Sequence, residues 1–206
     1  RGLGDVYKRQ TYVVYLGLGL AIWNSLAAAI GSAPNLFEHN SSHLHNTNLH
    51  PIFYTLEEWA FQVQTFFQSF ILVLLALSFF QHNLIPHLLA FAWLPLINFL
   101  LFLYWVPLLV CLVGARYRDF YQLVPIILQL VFLLSPILYE KKNLAGLSWT
   151  ADINPLYRVL SPLRHALIQG YPLLGQDLFM LAANCVGLFF AVSMLNRERR
   201  FLPFLI

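Results

Sequence analysis

Four histidines in one polar stretch are the residues whose type could bind a metal ion. His43 and His45 are separated by a single residue, and His39 and His50 lie nearby. Imidazole is a common zinc ligand, so a zinc site can be imagined here. The spacing is irregular, however, and neither cysteine nor aspartate lies among the histidines. We therefore interpret the stretch as a solvated polar loop and predict no metal site.

Enzyme motifs are missing from the sequence. It contains no G-x-x-x-x-G-K-[ST] phosphate loop, no G-x-S-x-G elbow and no H-E-x-x-H zinc motif. No Asp or Glu lies in the interior of a long apolar run, which argues against a proton-coupled transporter. We predict no catalytic residue, no cofactor in this chain and no ATPase site of its own.

Aromatic side chains recur within the apolar runs and could bind sugars. Many of them are expected at the two membrane interfaces, where Trp and Tyr are enriched. Sugar rings also stack on aromatic faces through their C–H groups, so an aromatic-lined path suits a repetitive glycan better than an ion. The residues that we nominate for such a path are Tyr15, Trp23, Phe66, Phe70 and Tyr104.

The elements that must carry these residues are membrane-spanning helices. Of the 206 residues, 59% are hydrophobic and only 10% are charged, whereas soluble domains carry about 25% charged residues. A helix needs roughly 20 apolar residues to cross a bilayer. Five runs satisfy this, at 11–31, 62–80, 84–113, 121–139 and 177–195. We predict an all-α integral membrane protein with five spans, the third kinked or tilted because of its prolines.

Two segments between the spans are too polar to cross. The first, 32–61, carries the histidines, and Thr55 near its end is a suitable N-cap for a helix. The second, 140–175, is rich in proline, and we do not expect it to span the membrane. Asn154 before Pro155, and Ser161 before a second proline, predict two short re-entrant helices in a row. Arg164 on the second one is either a snorkelling anchor or a contact to an acidic glycan or lipid phosphate.

Charged residues indicate orientation and boundaries. Residues 1–10 contain three cations and one aspartate, which gives +2 of the net charge of +3. They resemble translated adapter sequence, so we treat them as non-native and exclude them from the fold. The rest, 11–206, has no basic patch for nucleic acid. The arginines at 116 and 118 and those at 197–200 lie on one side, which the positive-inside rule makes cytoplasmic.

Three blocks of sequence carry a family resemblance. They are GARYRDF at 114–120, LSPILY at 134–139 and INPLYRVLSPLR at 153–164. In this order and spacing they resemble the permease subunit of polysaccharide-export ABC transporters, which export O-antigen, teichoic acid or capsule. The segment YLGLGLAIWN at 15–24 is similar to the second membrane helix of that family.

The resemblance implies a six-helix permease of a bacterial cytoplasmic membrane, so a first helix is expected to be missing here. It implies a homodimer with two ATP-binding cassette subunits, which bind the ATP and Mg²⁺. The residues expected to contact those subunits are Glu38, His39, Asn40, His43, His50, Arg116, Arg118 and Asp119. Those expected at a periplasmic gate are Asn154, Pro155, Arg158 and Arg164. One departure is NLHP at 48–51, where the family usually carries lysines before its proline.

Two functions remain open at this point. The first is a transport subunit that moves a lipid-linked polysaccharide outward, driven by its ATPase partners. The second is a membrane-embedded enzyme that modifies a glycan or lipid, for which the histidine group and Arg164 with His165 are the best support. Isolated aspartates weaken the second, because such an enzyme usually needs an acid or a metal-binding acidic pair.

Overall fold

The computed structural model describes residues 2–46, 49–137 and 154–202, with the backbone alone for 2–10, 45 and 46. Within these ranges the chain is helical and has no strand. The helices are α1 (Gly2–Ser32), α2 (Leu36–His39), α3 (Ser41–Asn46), α4 (Ile52–Ser78), α5 (Leu84–Phe91), α6 (Trp93–Arg116), α7 (Phe120–Leu134), α8 (Pro155–Gln169) and α9 (Leu174–Glu198), with a 3₁₀ turn η1 (Ala33–Asn35) after α1.

Four segments in the described ranges are long and apolar enough to cross a membrane. They are Thr11–His39, which contains most of α1, and the helices α4, α6 and α9. The apolar helix α7 has only 15 residues, about 22 Å at 1.5 Å per residue, and is therefore shorter than the hydrocarbon core. The span predicted at 121–139 continues into residues outside the described ranges. The all-helical membrane fold is thus confirmed.

The predicted third span is two helices. The chain breaks at Ala92, which ends α5 and caps α6. Pro95 lies in the first turn of α6, where a missing backbone N–H breaks no helical hydrogen bond. For the same reason, Pro95 could not donate the hydrogen bond that would continue α5 through this point. A single kinked helix over 84–113 was therefore wrong, while Pro107 inside α6 is accommodated without a break.

Two predicted helix starts were also wrong. Helix α4 begins at Ile52, so Thr55 lies inside the helix, where its hydroxyl donates to the Ile52 carbonyl at 2.9 Å. The two short helices expected between Asn154 and Gly170 are one helix, α8, with Pro162 in its interior. The N-cap at Asn154 is confirmed, because its Oδ1 accepts from the backbone N–H of Leu156 at 3.0 Å.

The helices build a bundle with two distinct ends. One end, the Arg116 end, contains η1, α2, α3 and the turn between α6 and α7. The opposite end, the Arg164 end, contains α5, α8 and the start of α9. A large apolar core joins α1, α4, α6 and α8. A second apolar cluster lies at the Arg116 end, among η1, α2, α4, α6 and α9.

Candidate functional site

At the Arg116 end, the polar segment after α1 is fixed to the spans. Phe37 of α2 is fully buried, and Leu44 of α3 is almost fully buried, in the same cluster as Leu112 of α6 and Leu195 of α9. Helix α2 contacts both α4 and α6. The segment predicted as a solvated loop is therefore a pair of short helices that are anchored by two apolar side chains.

The residues expected to contact an ATPase lie at this end. Six of them are exposed, namely Glu38, His39, His43, Arg116, Arg118 and Asp119, whereas Asn40 and His50 are half-buried. Asn40 Nδ2 donates to the Leu36 carbonyl at 2.9 Å, and His50 Nδ1 accepts from the Ile52 N–H at 3.2 Å. Those two side chains thus stabilise the local turns, and the other six form the polar surface of this end.

Gly114 sets the distance between this surface and α6. A Cβ atom at Gly114 would meet the carbonyl oxygen of Pro34 and lie 2.6 Å from its Cα. Both are backbone atoms of η1 and cannot rotate away. Only glycine therefore allows η1 to approach α6 this closely, so the first residue of the GARYRDF block is a packing residue.

At the Arg164 end, α5 and α8 are joined by polar contacts to backbone atoms. His87 Nδ1 lies 2.8 Å from the Leu167 carbonyl oxygen, and Gln81 Nε2 donates to the Ile168 carbonyl at 3.0 Å. These carbonyls belong to the last turn of α8, whose orphan groups need partners. Gly170 ends the helix at φ 75°, and a Cβ there would lie 2.6 Å from His87. Helices α5 and α8 are therefore held together as one unit.

Asn154 and Ser135 bring two of the resemblance blocks into contact. Asn154 Nδ2 donates to Ser135 Oγ at 2.5 Å, while Ser135 Oγ donates to the Val131 carbonyl at 2.6 Å. Asn154 thus caps α8 with its oxygen and binds the end of α7 with its nitrogen. Pro155 follows at the first position of the helix and is exposed.

Arg164 is a buried residue of the protein interior, only 3% exposed. Its guanidinium carbon lies 3.6 Å from the centre of the Tyr15 ring, and its Nη2 donates to the Tyr15 hydroxyl at 2.6 Å. The Tyr15 hydroxyl in turn donates to the Pro136 carbonyl at 3.2 Å. Arg164 therefore links α8 to α1 and to the end of α7. The sequence analysis proposed Tyr15 for a glycan path and Arg164 for the periplasmic gate, and it did not link the two residues.

A buried polar network between α6 and α9 was missed by sequence reasoning. Asn98 Nδ2 donates to the backbone carbonyl of Asp177 at 2.8 Å, and Asn184 Nδ2 donates to the Asn98 carbonyl at 3.0 Å. Trp105 Nε1 donates to Asn184 Oδ1 at 3.0 Å. Polar side chains inside apolar runs are costly in a membrane unless they pair, and this is the signal that could have revealed the network.

The aromatics nominated for a glycan path lie inside one subunit. Phe66 and Phe70 are each 1% exposed, with ring centres 4.9 Å apart, and Trp23 packs on Phe132 at 5.4 Å. Tyr104 is half-buried against Trp59, and its hydroxyl lies 3.3 Å from Thr55 Oγ1. Apart from the stacked pair Phe66 and Phe70, these aromatics pack on other core neighbours and form no common surface, so their role in a path stays a prediction.

The histidine stretch was also compared with the geometry of a metal site. Across the ranges that the structure describes, no three His, Cys, Asp or Glu side chains are close enough together to hold a metal ion. The side chain of His45 lies outside the described residues.

Comparison with known families matches residues 3–168 to the ABC-2 type transporter membrane domain. The chain belongs to the ABC-2 type transporter family. It is accordingly a multi-pass transmembrane subunit of an ABC transporter, in a family whose members work with ATP-binding subunits. A search of curated proteins found no match. The matched residues contain both the Arg116 end and helix α8, so both regions belong to the common permease domain.

Proposed function

We propose that this ABC-2 permease exports a lipid-linked polysaccharide across a bacterial cytoplasmic membrane, as a homodimer that is driven by two ATP-binding subunits. The observation that carries the proposal is the contact of Asn154 with Ser135. These residues belong to the second and third blocks that resemble polysaccharide exporters, and the contact joins the end of α7 to a short, non-spanning helix.

In this proposal the Arg116 end faces the cytoplasm and receives the motion of the ATPase. Phe37 and Leu44 transmit it, because both are packed against the spans while the surrounding polar residues face outward. A ligand shifts an equilibrium only through different contacts in the two states, so nucleotide must change the contact between this surface and its partner.

The Arg164 end then forms the outer gate. Helices α5 and α8 belong to this end and are held by contacts of Arg164, His87 and Asn154. Opening would require these contacts to release or to move as one unit. Arg158 lies on the other, exposed side of α8.

The test is reconstitution of this chain with an ATP-binding cassette subunit, in vesicles that contain a fluorescent lipid-linked glycan. ATP-dependent protection of the glycan from an external glycosidase supports export. Transport of a lipid without glycan would refute the polysaccharide substrate. Chemical change of the glycan without ATP would favour the membrane-embedded enzyme.

A further inference from the structure

A cavity of about 400 Å³ lies between α8 and the first turns of α9. The residues that line it are Tyr157, Arg158, Ser161, Leu173, Gly175, Gln176, Phe179 and Met180. Its volume falls in the range of about 300–1,000 Å³ that is typical of small-molecule sites. Neither the N-cap of α8 nor the polar network of α9 uses it.

The lining combines one cation with hydrogen-bonding and aromatic groups. Arg158 provides the charge, and its guanidinium carbon lies 6.0 Å from the centre of the Phe179 ring. Tyr157, Ser161 and Gln176, whose side chains carry hydroxyl and amide groups, line the same cavity. None of the eight lining residues is acidic. Asp177 follows Gln176 in the chain but is 1% exposed and does not line the cavity.

The two arginines of α8 therefore have different surroundings. Arg164 is enclosed by Tyr15 and Pro136, whereas Arg158 is exposed at the cavity wall. Phe179 is 60% exposed, and a Cβ at Gly175 would meet no atom of the described residues within 4 Å. The cavity is thus accessible from outside the bundle along the start of α9.

We propose that this cavity binds a phosphate group that is attached to a glycerol or a sugar. The planar guanidinium of Arg158 matches phosphate oxygens with two parallel hydrogen bonds. Phe179 and Met180 suit the carbon skeleton beside the phosphate. The cavity lies where α9, a segment long and apolar enough to span a membrane, begins, and the end of such a span is expected near the lipid headgroups. Both a phospholipid headgroup and a sugar phosphate of a lipid-linked glycan present this chemistry there.

The inference requires a membrane permease but not a particular exported substrate, so it is tested by binding and not by export. Purified permease in neutral detergent is titrated calorimetrically with dihexanoyl phosphatidic acid and with N-acetylglucosamine 1-phosphate. Dihexanoylglycerol and N-acetylglucosamine serve as the counterparts without phosphate, and empty micelles are subtracted. Binding of the phosphatidic acid alone identifies a lipid headgroup as the source, and binding of the sugar phosphate identifies a glycan.

Substitutions test whether the phosphate binds in this cavity. Arg158→Gln should weaken phosphate binding about tenfold or more, because a charge-assisted pair is lost. Arg199→Gln removes the same charge at the Arg116 end and should bind like the parent. Gly175→Trp fills the open space and should abolish binding, while Gly175→Ala adds one methyl group and should weaken it much less.

Two results would overturn the proposal. One is equal binding of the phosphates and their uncharged counterparts. The other is unchanged phosphate binding in both Arg158→Gln and Gly175→Trp, provided that both variants elute as folded protein in size-exclusion chromatography.

Discussion

Arg164 shows how one side chain can join three parts of a membrane bundle. It was expected either at the surface or on a ligand, but its charge lies over the Tyr15 ring inside the subunit. A buried cation is costly unless it is paired and hydrogen-bonded. Tyr15 supplies an aromatic face and an acceptor hydroxyl, and these contacts offset part of that cost.

We expect Arg164→Met to lower the free energy of unfolding by about 3 kcal/mol, since it removes a desolvated cation–π contact and a charged hydrogen bond. Tyr15→Phe keeps the ring and removes the hydroxyl, so its loss should be about 1 kcal/mol. The double variant should lose less than the sum. Thermal unfolding in detergent, followed by tryptophan fluorescence, measures all three.

The control is Arg199→Met, which removes an exposed arginine at the Arg116 end and should change the melting temperature little. If Arg199→Met destabilised the protein as much as Arg164→Met, the pairing with Tyr15 would not be the cause.

Gly114 is the second residue whose identity the packing requires. We expect Gly114→Ala to destabilise the protein by about 1–3 kcal/mol, because its methyl group would overlap the backbone of Pro34 and force η1 away from α6. Gly175→Ala places the same methyl group in open space within a helix. It should be neutral or stabilising by about 0.5–1 kcal/mol. Melting temperatures from fluorescence-detected size-exclusion chromatography compare the two, and equal values would contradict this account.

Among the elements, α8 is a single helix although its sequence contains two capping signals. Its apolar residues Leu156, Leu160, Leu163 and Leu167 are buried along one face. Packing of this face against α1, α5 and α6 is continuous. Pro162 removes one backbone hydrogen bond, and the buried face outweighs that loss. Tertiary contact thus decides between one helix and two.

The pair α2 and α3 is the element proposed to contact the ATPase. We expect a cysteine at His43 to cross-link to the ATP-binding partner, because this side chain is exposed while Leu44 beside it is fixed in the second apolar cluster. A cysteine at Gln176, at the Arg164 end, is the matched control and should not cross-link. Cross-linking is scored on gels after treatment with a short bifunctional maleimide. Labelling of the His43 position only from the outside of intact cells would refute both the contact and the orientation.

At the level of the whole molecule, membership of the ABC-2 family makes the chain one subunit of a transporter complex. We expect the purified chain to bind no ATP at micromolar concentration, because the sequence has no phosphate loop. Equilibrium binding of radiolabelled ATP in detergent, with and without the ATP-binding subunit, measures this. Stoichiometric binding to the permease alone would show that a nucleotide site exists outside the known motif.

The sequence alone predicted the helical membrane class, the apolar cores of four spans and the N-cap at Asn154. These features depend on local properties, namely the length of an apolar run and the residue that precedes a proline. The three motif blocks could also be recognised in order. Their residues do not reveal which of them touch, so the bond from Asn154 to Ser135 could not be predicted.

The tertiary structure decided everything that depends on residues far apart in the chain. Prolines lie close to the break at Ala92 and inside the unbroken helix α8. Only the packing around each proline decides whether the helix continues. Arg164 and Tyr15 are 149 positions apart, so no local pattern links them. The network of Asn98 and Asn184 arises in the same way. Burial in a bilayer forces each polar side chain to find a partner, but the fold determines which partner is within reach.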